Sequence, residues 1–289
     1  MNLTDINEIR PLLARHGFRF SKSLGQNFLT AAWVPEEIAD SAELDAQTGV
    51  LEVGPGIGCL TEQLSRRAGK VVSVELDKAL QSVLRETLSG CDNVEVIFAD
   101  VLKLELPTLM EERFPGMRRV LCANLPYNVT TPLLTRFIES GCFDTVTVMI
   151  QREVARRICA APGTADYGAF GIFVQWHMTA ELLFDVPPSC FIPQPKVTSS
   201  VIRLKKRKEK PAFAEDEDIL FRLVRAAFNQ RRKTILNAVS SGFPELSKEQ
   251  IVCAAQRAGF EPNVRGEVLD IGQYAKFANE IYHILRTDL

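Results

Sequence analysis

Four consecutive residues, Asn124, Leu125, Pro126 and Tyr127, combine groups that can bind and activate a planar amino group. The nitrogen of an amino group on an aromatic base is a poor nucleophile, because its lone pair is delocalised into the ring. Acceptors placed on its two N–H bonds can help, and the side-chain oxygen of Asn124 and the carbonyl of Leu125 are suited to this role. Pro126 fixes its own φ and so directs the Leu125 carbonyl. Tyr127 offers an aromatic face on which the base can stack.

Three glycines at alternate positions, Gly54, Gly56 and Gly58, follow an apolar run at 50–53 and precede a helical pattern. A strand, a tight glycine turn and a helix start allow backbone N–H groups to come close to a ligand. A dinucleotide fingerprint needs glycine or alanine at position 59, where this chain has Cys59. No lysine follows the glycines, as it would in a triphosphate-binding loop. Alone, the glycines are also explained by a structural turn.

Two carboxylates stand at the ends of the next predicted strands. Glu75 follows the first glycine by about 20 residues, where a carboxylate can hold both ribose hydroxyls. Asp100 ends the third strand, where it or a neighbouring backbone N–H can contact an adenine edge. No basic residue follows Glu75 to meet a ribose phosphate, so a nucleoside without phosphates fits better, and S-adenosylmethionine is the common one. Helix capping is the alternative role for these carboxylates. Glu52 is equally suited to bonding the loop or to facing the methionine ammonium.

Short apolar strands alternate with helices over the first half of the chain, which indicates an α/β fold with a parallel sheet covered on both faces. The predicted strands are 48–53, 71–75, 94–98, 118–123 and 144–150, and the predicted helices between them are 58–68, 77–88, 105–114 and 130–140. Ligands of such sheets bind beyond the carboxyl ends of the strands. The loops that carry the residues above each follow a predicted strand, so we expect them to open on one edge of the sheet.

The pattern changes after residue 150. A charged helix at 151–159, a helix or strand at about 168–178 and antiparallel strands at 180–186 and 197–204 come first. A basic run at 203–210 follows, and beyond it only helices are predicted, at 216–229, 231–240, 247–257 and 272–286. We therefore predict a Rossmann-like catalytic domain over 1–206 and a small all-helical domain over 207–289.

Composition limits the function classes. The 289 residues are 46% hydrophobic, which is ordinary for a globular protein with a sizeable core. The net charge of −2 gives no general basic character, so any nucleic-acid contact depends on local patches. Seven scattered cysteines without a C-x-x-C pair indicate reduced thiols and no metal site. No stretch reaches the roughly 18 apolar residues of a membrane span. We expect a soluble cytoplasmic protein with no membrane partner.

Further candidates lie in the second half of the chain. Phe191 lies in a proline-rich loop at 187–196, which could hold its ring over the other face of a flipped-out base. Simple packing is an equally good explanation of this ring. Basic residues that could contact phosphates include Lys22, Arg152 and Lys196, although such charges usually belong to solvated faces.

The chain resembles the ribosomal RNA adenine N6,N6-dimethyltransferases, in particular the bacterial branch that acts on small-subunit (16S) rRNA. Eight segments in the same order carry the resemblance over nearly the whole chain. They are K-S-L-G-Q-N-F-L at 22–29, L-E-V-G-P-G-I-G at 51–58, V-E-L-D at 74–77, D-V at 100–101, N-L-P-Y-N at 124–128, V-P-P-S-C-F-I-P-Q-P-K-V at 186–197, A-F-N-Q-R-R-K-T at 227–234 and R-G-E-V-L-D-I at 265–271.

The resemblance implies S-adenosylmethionine as the cofactor and an N-terminal loop that closes over it. The residues that it places at the cofactor are Asn27, Leu29, Gly54, Glu75, Asp100, Val101 and Asn124. Gly56 in the same glycine turn is a further candidate for cofactor binding. Family members transfer four methyl groups in all to two adjacent adenosines near the 3′ end of small-subunit rRNA, on a late assembly intermediate of the subunit. The helical domain would help to grip this particle, with Arg231, Arg232 and Lys233 as phosphate contacts. We expect the protein to be a monomer.

Three other functions stay open. A sister class methylates an adenosine in large-subunit rRNA and gives resistance to macrolide-type antibiotics; the R-R-K-T and R-G-E-V-L-D-I segments favour the small-subunit branch. A purely structural assembly factor is disfavoured by the intact loop at 124–127 and by Glu75. A DNA adenine methyltransferase usually carries a second proline where Leu125 stands, together with a DNA-reading domain that we do not find in the sequence.

Overall fold

The computed structural model describes residues 1–21 and 24–287 and divides the chain into two compact units. The first unit contains Met1–Ala155 and Ala180–Lys206, and the second contains Arg156–Thr179 and the chain from Arg207 onward. The sequence places 156–179 in the catalytic domain, whereas the structure groups this segment with the helices. Its residues Tyr167, Ile172 and Trp176 are buried in the hydrophobic core of the helical unit.

Seven strands form one sheet in the order β4-β3-β2-β5-β6-β9-β7. Strands β2 to β6 are parallel neighbours in this order, and β9 is antiparallel to β6. The short strands β1 and β8 pair with each other. The bounds are β1 Phe28–Leu29, β2 Thr48–Val53, β3 Lys70–Glu75, β4 Val94–Phe98, β5 Arg118–Asn124, β6 Thr145–Gln151, β7 Met178–Val186, β8 Phe191–Ile192 and β9 Ser199–Lys206. The predicted α/β class is confirmed.

The helices alternate with the strands in the first unit and dominate the second. Their bounds are α1 Ile6–Arg15, α2 Trp33–Ser41, α3 Cys59–Ser65, α4 Gln81–Thr87, α5 Leu106–Arg113, α6 Thr130–Glu139, α7 Arg152–Cys159, α8 Ala169–His177, α9 Glu217–Asn229, α10 Ile235–Gly242, α11 Lys248–Arg257 and α12 Ile271–Thr287. Over the described part of the chain, none of them is both long and apolar enough to span a bilayer.

The glycine turn follows β2, an interior strand of the sheet. All six of its residues are buried, as expected for a parallel strand covered on both faces. Each fully buried Val or Leu side chain contributes about 1.5–3 kcal/mol. Gly49 is required here, because a Cβ at this position would lie 2.3 Å from the ring of Phe114. The turn after β2 is therefore anchored to the most buried part of the unit.

The helical unit differs from the sequence expectation at one helix start. A helix was expected over 231–240, but α10 begins at Ile235. The Thr234 side chain accepts a hydrogen bond from the Asn237 backbone N–H and caps the helix. The three basic residues at 231–233 therefore lie in the turn before α10. The segment at 168–178, predicted as a helix or a strand, is mostly the helix α8.

Candidate active site

A cavity of about 380 Å³ opens beyond the carboxyl ends of β2, β3, β4 and β5. Each of the four loops that the sequence singled out contributes to its wall, together with residues 24–29 of the N-terminal loop. The cavity brings together every predicted cofactor residue and the whole 124–127 loop. These residues are Asn27, Leu29, Gly54, Gly56, Glu75, Asp100, Val101, Asn124, Leu125, Pro126 and Tyr127.

The glycine turn forms the floor of one side of the cavity. Gly54, Gly56 and Gly58 all have positive φ, at 69°, 61° and 94°, a conformation that only glycine adopts without strain. A Cβ on Gly54 would meet no atom within 4 Å. Because Gly54 lines the cavity, its bare backbone leaves space for a ligand to approach closely.

Glu75 closes this side at the end of β3. Its side chain is 6% exposed and accepts hydrogen bonds from the backbone N–H groups of Gly56 (3.3 Å) and Asp77 (2.8 Å). Burial raises the pKa of the Glu75 carboxyl. The two bonds hold the carboxylate against the glycine turn, where hydroxyl groups of a ligand can reach its remaining lone pairs.

Glu52 is almost completely buried at 1% exposure and lines the same cavity. Its Oε2 accepts hydrogen bonds from the hydroxyls of Thr61 (2.7 Å) and Ser73 (2.6 Å). Burial, opposed by these two bonds and reinforced by the charge of Glu75, raises the pKa of Glu52 to about 7. These bonds go to α3 and β3 and not to the glycine loop, which is the partner in the first of the two alternatives from the sequence. Because Glu52 lines the cavity, the second alternative, contact with the methionine ammonium, stays a prediction.

Asp100 and Val101 form the wall beyond β4. Asp100 Oδ1 accepts a hydrogen bond from the Leu102 backbone N–H at 3.0 Å, which is the capping role weighed from the sequence. The residue also lines the cavity, so capping does not exclude the predicted contact with an adenine edge. Val101 is 7% exposed and adds an apolar surface beside this carboxylate.

The N-terminal loop is tied to both sides of the cavity. Asn27 Nδ2 donates to the Gly25 carbonyl (3.0 Å), and the Asn27 carbonyl accepts from Asn124 Nδ2 (3.3 Å). Gln26 was missed by the sequence reasoning: it accepts from the Ser21 N–H (2.9 Å) and donates to Asp77 (2.7 Å). No local pattern indicates this contact, since Asp77 lies 51 positions further along the chain. Through Gln26 and Asn27, one loop bridges the ends of β3 and β5.

The 124–127 loop begins where β5 ends. The Leu125 N–H donates to the Met149 carbonyl of β6 (3.1 Å), and the bond from Asn124 Nδ2 to Asn27 leaves its Oδ1 on the other side of the amide. Within residues 1–21 and 24–287, the structure records no hydrogen bond to Asn124 Oδ1 or to the Leu125 carbonyl. Two acceptors on neighbouring residues are thus available to a substrate.

Tyr127 is half-buried, and its hydroxyl lies 2.5 Å from the Ser199 Oγ at the start of β9. Burial raises the pKa of this phenol, which the bond to Ser199 partly opposes. A neutral tyrosine at physiological pH is suited to stacking and hydrogen bonding, and unsuited to the role of a base.

For Phe191, the structure favours packing, one of the two explanations that the sequence left open. Phe191 is 2% exposed and belongs to the hydrophobic core of the first unit. It pairs with Leu29 between β8 and β1, and it is absent from the described cavity wall. Since Leu29 does line the cavity, Phe191 pairs with a residue of the cavity wall, and contact of its ring with a base stays a prediction.

The predicted basic contacts fall into different environments. Arg152 and Lys196 line a second cleft in the first unit, of about 370 Å³. Arg231 is engaged within the helical unit, where it donates to Glu267 (2.8 Å) and to the Ala165 carbonyl (2.6 Å). Arg232 and Lys233 are exposed, and Lys22 lies outside the described residues.

Comparison with known proteins shows the family of the chain. A family model described as ribosomal RNA adenine dimethylase matches residues 17–282. The ribosomal RNA small subunit methyltransferase A of Geobacillus thermodenitrificans is 46% identical over 96% of each chain. The protein of the same name from Alkaliphilus metalliredigens is 46% identical over 95% of this chain and 96% of its own.

Two solved structures share the fold. The 23S rRNA methyltransferase ErmE gives a TM-score of 0.68 with 28% identity, over 88% of this chain and 99% of its own. A dimethyladenosine transferase from Plasmodium falciparum gives a TM-score of 0.73 with 24% identity, over 90% and 98%. The sequence match extends over both units, and it confirms the resemblance read from the eight segments. The chain belongs to the ribosomal RNA adenine dimethylase family.

Proposed function

We propose that this protein transfers methyl groups from S-adenosylmethionine to the N6 atoms of two adjacent adenosines near the 3′ end of small-subunit (16S) rRNA, two to each. The observation that carries the proposal is the shared cavity. In it, a glycine turn with a buried carboxylate lies together with an asparagine and a carbonyl whose oxygens accept no recorded bond from the described residues. The small-subunit substrate is supported by relatives at 46% identity that are named for it.

The cavity fits the cofactor. Gly54 leaves space where a Cβ would otherwise stand, and Glu75 presents a carboxylate held by two backbone donors. Asp100 and Val101 supply a polar and an apolar surface on the adenine side. We assign the ribose hydroxyls to Glu75 and the adenine edge to Asp100 with Val101. When bound, S-adenosylmethionine supplies an electrophilic methyl group on a sulfonium ion.

The 124–127 loop then prepares the nucleophile. Asn124 Oδ1 and the Leu125 carbonyl each accept one N–H of the adenine amino group, which draws its lone pair out of conjugation and aims it at the methyl group. Pro126, with φ of −59°, holds the carbonyl in position. Tyr127 stacks on the base. Because none of these groups is a strong base, the acceleration comes from positioning and from preorganised dipoles.

Phosphate contacts would come from two regions. Arg152 and Lys196 share the walls of one cleft, so they could hold the RNA backbone near the target base. Arg232 and Lys233 are exposed on the helical unit and could hold the particle elsewhere. The proposal includes an immature ribosomal subunit as the substrate and a monomeric enzyme.

The deciding experiment measures transfer of tritium from labelled cofactor to three acceptors: immature small subunits, naked rRNA and DNA. The proposal expects transfer to the immature subunits, at two adjacent adenosines. Transfer to DNA alone would overturn it.

The large-subunit reaction is the second candidate, because the fold of ErmE superimposes over 88% of the chain. Primer extension on both rRNAs distinguishes the two reactions, since a dimethylated adenine blocks the copying enzyme. A stop on large-subunit rRNA only would favour this second candidate and contradict the first.

A further inference from the structure

The hydroxyl of Ser199 is bonded to a residue of the acceptor loop, although it lies 72 positions further along the chain. The separation between Tyr127 Oη and Ser199 Oγ is 2.5 Å, at the short end of the range for hydroxyl pairs. Ser199 is 0% exposed, so water does not compete for this bond. Since burial also keeps the pKa of Tyr127 raised, the contact joins two neutral hydroxyls.

The sheet explains how Ser199 comes to this place. Asn124, the last residue of β5, pairs with Met149 of β6. Two residues further along β6, Gln151 pairs with Ser199, the first residue of β9. The antiparallel strand therefore returns to the same sheet edge from which the acceptor loop leaves. Ser199 is fixed there by a strand pairing that continues without a break from Gln151 to Thr145.

Burial of the backbone turn does not by itself fix the ring of Tyr127. It begins a single 3-10 turn, Tyr127–Val129, none of whose residues is buried. The loop fixes one end of the tyrosine side chain, and the bond to Ser199 fixes the other end, at the hydroxyl. Two fixed ends determine the tilt of the ring along the wall of the cavity.

We propose that Ser199 is a positioning residue for methyl transfer: by holding the Tyr127 hydroxyl, it sets the plane on which the target base stacks. This inference rests on the proposed function. Ser199 does not line the described cavity and acts only through Tyr127. A tilted base would move its amino nitrogen away from the line of attack, and near-attack geometry is sensitive to such shifts.

The chain offers a matched control in Ser200, the next residue. Ser200 is also 0% exposed, and its hydroxyl also makes a 2.5 Å bond, to Asp185. Because consecutive strand residues point to opposite faces, the Ser200 hydroxyl is directed away from Tyr127. Loss of either hydroxyl removes one buried bond, but only the loss at Ser199 releases the ring.

The test is a double-mutant cycle with Ser199→Ala and Tyr127→Phe, measured as kcat for tritium transfer to immature small subunits. Each single variant is expected to lower kcat by about three- to tenfold, the equivalent of one net hydrogen bond. The double variant should equal the singles, because both substitutions break the same bond. Ser200→Ala should keep the wild-type kcat, and cofactor affinity should stay unchanged in all four proteins.

A merely structural role gives a different pattern. In one such pattern, Ser199→Ala lowers the melting temperature as Ser200→Ala does but leaves kcat at the wild-type value. In the other, Ser199→Ala and Tyr127→Phe lower kcat independently, so that their effects add in the double variant. Either result overturns the inference. If Ser199→Ala does not fold, Tyr127→Phe breaks the bond with Ser199 in place, and a wild-type kcat in that variant is the contrary result. A wild-type protein that transfers no methyl group to rRNA refutes the proposed function instead, so the two failures are distinguishable.

Discussion

The two halves of the cavity differ in how far the protein itself satisfies their polar groups. On the half that we assign to the cofactor (the cofactor half), Glu52 and Glu75 already accept four hydrogen bonds between them, from hydroxyls and backbone N–H groups. On the half that we assign to the target base (the acceptor half), the structure records no bond to the Asn124 amide oxygen or to the Leu125 carbonyl within its described residues. The first half is therefore preformed, and the second is left for the substrate to complete.

This difference predicts two kinds of sensitivity. The cofactor half contains buried carboxylates, so substitutions there should alter stability, its pH dependence and cofactor affinity. The acceptor half contains neutral hydrogen-bond acceptors that act only when a substrate is bound, so substitutions there should lower kcat.

The largest effect is expected at Asn124. Asn124→Ala removes one of the two acceptors and should lower kcat by about 10²–10³-fold, the range found when one preorganised group is removed from a transition-state site. Tritium transfer in a single turnover measures this directly. Asn124→Asp keeps an oxygen at the same place and should retain more activity than the alanine variant. Wild-type transfer by Asn124→Ala would contradict the assigned role.

The assignment of Asn124 to the cofactor can be separated from its role in catalysis. Calorimetric titration of the cofactor into Asn124→Ala should give nearly the wild-type affinity if the acceptor role dominates. A tenfold lower affinity of Asn124→Ala for the cofactor, with an unchanged kcat, would instead show that Asn124 serves cofactor binding. The comparison between the two halves would then fail.

Glu52→Gln should reveal the cost of a buried carboxylate. The pKa of Glu52 is raised from 4.5 to about 7, mainly by burial. Between these values the unfolded chain has lost the proton that the folded chain keeps, so this carboxyl lowers stability as pH rises. Glu52→Gln has no carboxyl at this position and does not lose stability in this way. The difference in the free energy of unfolding between the variant and the wild type should therefore increase by about 2–3 kcal/mol from pH 5 to pH 8, in favour of the variant.

Urea unfolding of both proteins at the two pH values measures this advantage. Glu75 also has a raised pKa and acts in the same direction, but it is present in both proteins and largely cancels in the difference. Glutamine can still accept from Thr61 and Ser73, so the packing is kept. An advantage of equal size at pH 5 and pH 8 would show that Glu52 does not titrate in this range.

Glu75→Gln should weaken cofactor binding by about 10–100-fold, the equivalent of hydrogen bonds to a charged acceptor. Binding of the RNA substrate should not change, because Glu75 lies on the cofactor half. Calorimetry with the cofactor and a filter-binding assay with immature subunits test the two statements. Glu62→Gln is a suitable control: this residue pairs with Arg66 along α3 and is not part of the described cavity wall. Equal affinities in wild type and Glu75→Gln would remove Glu75 from the site.

The sequence predicted the parts of the site that depend on strand order. Parallel strands deliver their carboxyl ends to one edge, so Gly54, Glu75, Asp100 and Asn124 could be grouped from the alternation of strands and helices alone. The bounds of β2 and β4 agree with the prediction residue for residue.

The features that the sequence did not indicate depend on contacts between distant segments. Phe191 lies in a proline-rich loop in the sequence, whereas in the structure it pairs with Leu29 and is buried in the core of the first unit. The guanidinium of Arg231 is bonded to the loop at 164–165, which no local pattern indicates. The bond between Tyr127 and Ser199 likewise requires the antiparallel return of β9. Tertiary partners of this kind are not encoded in spacing along the chain.

Gln26 offers the smallest effect and a test of how the two halves are joined. Its side chain links the N-terminal loop to Asp77 on the cofactor half, while Asn27 next to it contacts Asn124 on the acceptor half. Gln26→Ala removes the first link and should weaken cofactor binding by about three- to tenfold, as one net hydrogen bond allows. In calorimetry, Gln63→Ala serves as the control, since Gln63 bonds only Arg67 among described residues and lies on α3 outside the cavity wall. If Gln26→Ala lowers kcat but keeps the wild-type cofactor affinity, then the loop serves the acceptor half alone, and the cofactor half is preformed without it.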